Sequence, residues 1–358
     1  MDDNFNYSNN GYREPDYYDM YAIEKQKEAK GVFSKYAVAL FLYTLIAAAV
    51  SLIIQVIMIA VMGADNAAAL LDENIYLNWA LGVLPMYLVG FPVLFLIIKD
   101  MPKNKREIKP VKPSNFLRFF LVTQAGILIG SLIGNSLNAS IGALLGREIE
   151  NSTSDLIEKS PIWLIFLVTV ILAPIIEELL FRKFMIDRLS RYGDTLAITV
   201  SAVAFGLFHG NFYQFFYAAL IGLVLGYMYC ETGNVKHTIL MHMIINFLGS
   251  VAVMPVMDMS EDFMTMSEAF ANGEVVDMAS FMRAATVVLS YSIIQYVLAA
   301  IGVIFLVLAI RDKKIKVKKY GEYIIPRGQI FKTVVLNAGA ILFIIFSVIT
   351  FAANIILV

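Results

Sequence analysis

Eight apolar stretches fix what this chain can fold into: Tyr36–Met62, Leu77–Ile98, Phe116–Leu145, Pro161–Phe181, Phe212–Cys230, Thr238–Val256, Ala284–Ile310 and Ile330–Ile355. Each is close to or beyond the roughly 20 residues that a helix needs to cross a hydrocarbon layer about 30 Å thick. A ninth, Leu196–His209, has 14 residues and reaches only about 21 Å at 1.5 Å per residue. Hydrophobic residues make up 59% of the chain and charged ones 16%, with mean hydropathy +0.71. A soluble domain is less apolar and carries about a quarter charged residues. The expected fold is therefore an all-α, polytopic bundle of eight or nine transmembrane helices, with the lipid bilayer as its surroundings.

Charge in the connections sets the direction. Lys99–Lys112, the run Arg182–Arg191 and Arg311–Lys319 are basic, whereas Asp65–Glu73, Glu148–Glu158 and Asp258–Asp277 are acidic. Basic loops belong in the cytosol. Nine spans with a cytosolic N-terminus put every basic loop on that side, and eight do not. The expected setting is a multi-pass protein of a prokaryotic cell membrane. Residues 1–32 are polar and read as a disordered cytosolic tail, with room for a short amphipathic helix near Tyr21–Lys30. Residues 33–160 then hold spans one to three, 161–256 spans four to seven, and 257–358 the last two. A net charge of −1 gives no field for nucleic acid. Glycines at four-residue spacing, Gly126, Gly130 and Gly134 on the third span and Gly222 and Gly226 on the sixth, read as helix-packing positions.

Ionisable residues inside a membrane point to function, and here they gather in spans four to seven. The single cysteine, Cys230, offers no disulfide, and all three histidines, His209, His237 and His242, fall in one short window. At the cytosolic end of span four, Pro174 precedes Glu177 and Glu178. Glu178 and Arg182 stand four apart with the acid first, the favourable order for a helical ion pair. Glu177 points about 100° away and lacks a local partner, as a general base requires. Phe205 and His209 share a helix face, as do His242 and Asn246. The last two form a donor pair suited to a developing oxyanion. Each motif alone also reads as an interfacial Glu or an interhelical hydrogen bond. His237 reads as interfacial. Glu177 and His242 lie near the cytosolic side and His209 at the far end of its span, so a shared site requires that span to tilt or stop short.

In order and spacing, Glu177-Glu178-x-x-x-Arg182, Phe205-x-x-x-His209 and His242-x-x-x-Asn246 resemble the three motifs of the CAAX-protease and bacteriocin-processing (Abi) family. The type II prenyl-protein endopeptidase, the Ras-converting enzyme, is its eukaryotic relative. The turn Thr232-Gly233-Asn234 is similar too, and the likeness covers about Pro161–Leu248. It implies an intramembrane glutamate-dependent endopeptidase: Glu177 with His209 activating water, His242 with Asn246 holding the oxyanion, and Glu178, Arg182 and Phe205 in support. The implied partner is a peptide or protein substrate, with C-terminal or lipid-bearing ones among the candidates. Members are often labelled metalloproteases, and Glu177, His209 and His242 form a conceivable two-His, one-carboxylate zinc set. There is no His-Glu-x-x-His helix, however, so chemistry without a required cofactor is favoured. The alternative is a non-catalytic protein of the same fold, serving as an immunity factor, scaffold or transporter. A transporter should show inverted repeats, and neither the Glu-Glu nor the His-x-x-x-Asn pattern recurs.

Overall fold

The computed structural model describes residues 17–317, 321 and 323–357, and the secondary structure among them is entirely helical. Eight helices are long and apolar enough to cross a bilayer, and a shorter apolar one lies among them. In chain order they are α1 (Tyr17–Met62), α2 (Ile75–Ile98), α3 (Pro113–Leu145), α4 (Ile162–Tyr192), α5 (Asp194–Phe208), α6 (Phe212–Thr232), α7 (Val235–Ala271), α8 (Met278–Arg311) and α9 (Ala338–Ile356). In the most apolar windows of α4 and α6, 44% of residues are buried, against 6% in α1 and 11% in α8. The first two therefore form the centre, while much of α1 and α8 presents its side chains outward.

Small residues decide the central packing. Without a hydrophobic force between helices in lipid, close backbone approach supplies the contact energy. Gly130 and Gly134 of α3 lie against the backbone of α6 at Tyr217 and Phe212, where a Cβ would collide. One turn apart on another face of α6, Gly222 and Gly226 receive Ala202 and Ile198 of α5. Thus α6 is clasped between α3 and α5, as the glycine spacing predicts.

Four boundaries differ from the sequence reading. The helix of the first span begins at Tyr17, so residues 17–32 are not a disordered tail; residues 1–16 lie outside the described ones. The cause is a continuous apolar edge, Ala29, Phe33, Tyr36, Leu40 and Tyr43, all buried in the core. Next, α7 runs through Asp258, Glu261, Asp262 and Glu268, which read as a loop, so the division at 256 falls inside a helix. The last span is also interrupted, because Asn337 accepts from the Ala340 amide and donates to the Thr333 and Val334 carbonyls, giving α9 a fresh start at Ala338.

The fourth difference places the site. The fourth span does not end at Phe181 but continues to Tyr192. Its basic residues are not in a loop. Arg188 is buried and donates to the Ile98 carbonyl at 2.8 and 3.2 Å and to that of Phe184 at 3.0 Å. The connection 99–112 is strapped across this end by Arg106, 2.7 Å from Asp194 and 3.5 Å from Asp187, and by the Asn104 and Lys109 amides on the Asp187 and Thr232 carbonyls. Glu177 consequently sits mid-helix, about 15 residues or 22 Å from the turn. From that turn α5 climbs back through 15 residues and stops. The short span ends at the depth of Glu177, and the mismatch that the sequence suggested for His209 disappears. At the reversal, Gly210 has φ +68°, open to glycine at no steric penalty, and Asn211 caps α6 by accepting from the Gln214 amide.

Gly130→Leu should lower the thermal midpoint of the purified protein in detergent by several degrees, since overpacking costs about 1–3 kcal/mol. Gly82→Leu, with open space around its Cβ position, should leave the midpoint unchanged.

Candidate active site

Helices α4, α5 and α7 bring the predicted residues together. Glu178 is the deepest, with no accessible side-chain surface. Its Oε2 lies 3.2 Å from Arg182 Nε, also wholly buried, and its Oε1 lies 3.0 Å from His242 Nδ1. The Arg182 contact is ionic and not aligned as a hydrogen bond. Two cationic or donor groups thus meet one carboxylate where neither solvent nor lipid reaches it. Leaving such a buried charge without its partner costs about 3–5 kcal/mol. The guanidinium also lies 4.7 Å from the centre of the Phe205 ring and donates to Ser201 Oγ at 3.4 Å. Ser201 in turn donates to the Phe181 carbonyl.

Glu177 differs in the way that matters for chemistry. Its side chain keeps 17% of its surface accessible, and its Oε2 stands 3.7 Å from His242 Nε2. The one imidazole therefore bridges both carboxylates. Glu178 accepts from Nδ1–H, which fixes the ring and leaves Nε2 toward Glu177. The sequence reading had Glu178 as support through Arg182 alone; its direct hold on His242 is new.

Phe205 organises the rest. Its ring centre is 4.9 Å from that of His209 and 5.8 Å from that of His242, both edge-on. His209 Nδ1 lies 2.8 Å from the Phe205 carbonyl. A carbonyl only accepts, so Nδ1 carries the hydrogen, and in the neutral ring Nε2 keeps its lone pair. No direct contact joins His209 to Glu177; the partnership expected of them requires a molecule between them.

Asn246 has a structural bond that the motif did not reveal. Its Nδ2 donates to the Thr169 carbonyl at 2.8 Å. Helix α4 is π-helical over Phe166–Leu172, with the Ala173 amide bonded five residues back to Val168. The next amide in that register would reach Thr169, but residue 174 is proline and has none. Asn246 fills the vacancy and pins α7 to α4. A second π-helical stretch, Glu178–Ile186, follows the acidic pair, and a third, Phe247–Val251, follows Asn246. Such widened turns often occur at functional sites. His237 stays outside, in the first turn of α7 beside Asn234. Among the described residues, no group of three or more His, Cys, Asp or Glu is placed to hold a metal ion.

Residues 159–248 match the family described as Type II CAAX prenyl endopeptidase Rce1-like. The matched segment is about a quarter of the chain and carries its likeness to the CAAX-protease and bacteriocin-processing family. The likeness is to membrane peptidases. The matched segment begins just before α4, ends just after Asn246 and so contains Glu177, Glu178, Arg182, Phe205, His209, His242 and Asn246. A Bacillus subtilis (strain 168) protein named "Putative membrane peptidase YdiL" is 25% identical over 209 residues, 56% of this chain and 84% of that relative. No solved structure matches.

Asn246→Ala should destabilise the protein by about 1 kcal/mol, within the range measured for hydrogen bonds between membrane helices. Pro174→Ala, which restores an amide for Thr169, should reduce that loss. A double-mutant cycle of thermal midpoints measures the coupling; strict additivity contradicts the assignment.

Proposed function

We propose that the chain is an intramembrane glutamate-dependent endopeptidase that hydrolyses peptide bonds with activated water and no required metal. One observation carries the reading: of two adjacent carboxylates, only Glu177 is accessible, while Glu178 is consumed by Arg182 and His242. A general base must reach the proton that it removes.

In this mechanism a water bridges Glu177 and the Nε2 lone pair of His209. Glu177 takes its proton as the oxygen attacks the carbonyl carbon. The π-bond electrons move to the carbonyl oxygen, giving a tetrahedral oxyanion. His242, protonated on both nitrogens against Glu178, offers Nε2–H to that oxyanion, and Asn246 offers the amide hydrogen not held by Thr169. Donors fixed in a low-dielectric site need no reorganisation as charge develops, which is the largest advantage such a site confers. Collapse breaks the C–N bond, and Glu177 returns its proton to the leaving amine. Phe205 keeps both imidazoles in register, and Arg182 balances the second carboxylate. The substrate is a peptide or protein held at membrane depth.

Purified protein in proteoliposomes, offered quenched fluorescent peptides with and without a prenylated C-terminus, tests the reading. Cleavage by the wild type should fall at least 1,000-fold in Glu177→Gln, a loss comparable to removing one member of a catalytic set, and should persist in EDTA or phenanthroline. Full activity in Glu177→Gln would contradict the mechanism, and loss in chelator would contradict its independence of metal.

A further inference from the structure

Two tyrosines lie two turns apart on the buried edge of α1, and only one has a hydrogen-bond partner. The Tyr36 hydroxyl donates to the Leu180 carbonyl of α4 at 2.6 Å. The Tyr43 hydroxyl is fully buried and has none. Buried polar groups are almost always paired, so an exception calls for a reason.

Position supplies one. In the alternating order of spans α1 runs antiparallel to α4, so seven residues onward along α1 correspond to about seven back along α4 from Leu180. That is the turn just before Glu177. The ring of Tyr43 is held on one side by α2, where Gly90 has no side chain and its backbone lies against the Tyr43 carbonyl and ring. On the other side lies Phe208, with ring centres 5.5 Å apart, the residue before His209. The hydroxyls of Tyr43 and of Tyr87, on the π-helical turn Met86–Gly90 of α2, both fall within electrostatic reach of Glu177. A rigid ring thus carries an unused O–H donor within a turn of the depth of the base.

We infer that Tyr43, from a helix outside the matched family segment, is a further catalytic residue: its hydroxyl donates a hydrogen bond to the carbonyl oxygen of the scissile peptide. The donor acts on the same oxygen as His242. This also gives the site a second donor where half of the Asn246 amide is spent on Thr169. The inference rests on the endopeptidase reading.

The test compares Tyr43→Phe, Tyr36→Phe and Glu177→Gln in full-length protein, using the quenched fluorescent peptide that the wild type cleaves best. Tyr43→Phe should lower kcat roughly 100-fold, the scale for one oxyanion donor, with KM little changed and the thermal midpoint equal or higher. Tyr36→Phe should do the reverse, lowering the midpoint and sparing kcat. Wild-type kcat in Tyr43→Phe, or a lowered midpoint there with kcat intact, overturns the inference. Full turnover in Glu177→Gln overturns the endopeptidase reading itself.

Discussion

The structure depends on one carboxylate that can face neither water nor lipid. Glu178 is held between Arg182, one turn along its own helix, and His242 on α7. An ionised carboxylate in this interior persists only with such partners. The arrangement therefore fixes the distance between α4 and α7, the ring angle of His242 and the direction of the neighbouring Glu177. Because adjacent residues on a helix diverge by about 100°, anchoring one acid inward turns the other toward the accessible space.

A second constraint comes from a missing hydrogen atom. Pro174 leaves the Thr169 carbonyl without its helical donor in the π register, and Asn246 crosses from α7 to satisfy it. In lipid no water can take that place. A residue whose type suits oxyanion binding is thus also a brace. The two roles are compatible because a carboxamide has two hydrogens. The same economy appears at Phe205, whose carbonyl sets the His209 tautomer while its ring orders both imidazoles and stacks beneath a guanidinium.

The sequence disclosed the spans and their order, and it singled out side chains that the fold brings together, because these rest on signals local to the chain: apolar length, i to i+4 spacing and scarce histidines. The pairing of Glu178 with Arg182 and the divergence of Glu177 follow from helix geometry alone, and the structure has both. The depth of Glu177 was not legible. Arg188 and Arg191 look like a cytosolic loop until one sees the Ile98 carbonyl and Glu28 that face them, and the Arg106 strap onto Asp187 and Asp194. Long-range contacts of that kind leave no periodic trace. The contact between Glu178 and His242, 64 positions apart, was hidden for the same reason, as was the part played by Tyr43. Thr169 could have been found from Pro174 only by knowing that the helix there is π rather than α.

The site rests on a division of labour between adjacent carboxylates, one structural and one accessible. Thermal unfolding of Glu178→Gln and Glu177→Gln, measured side by side in the same detergent, tests it without any substrate. Glu178→Gln, which strips Arg182 of its charge partner, should unfold well below the wild type, and Glu177→Gln should unfold at or above it. Equal losses in the two variants, or a larger loss in Glu177→Gln, would contradict it.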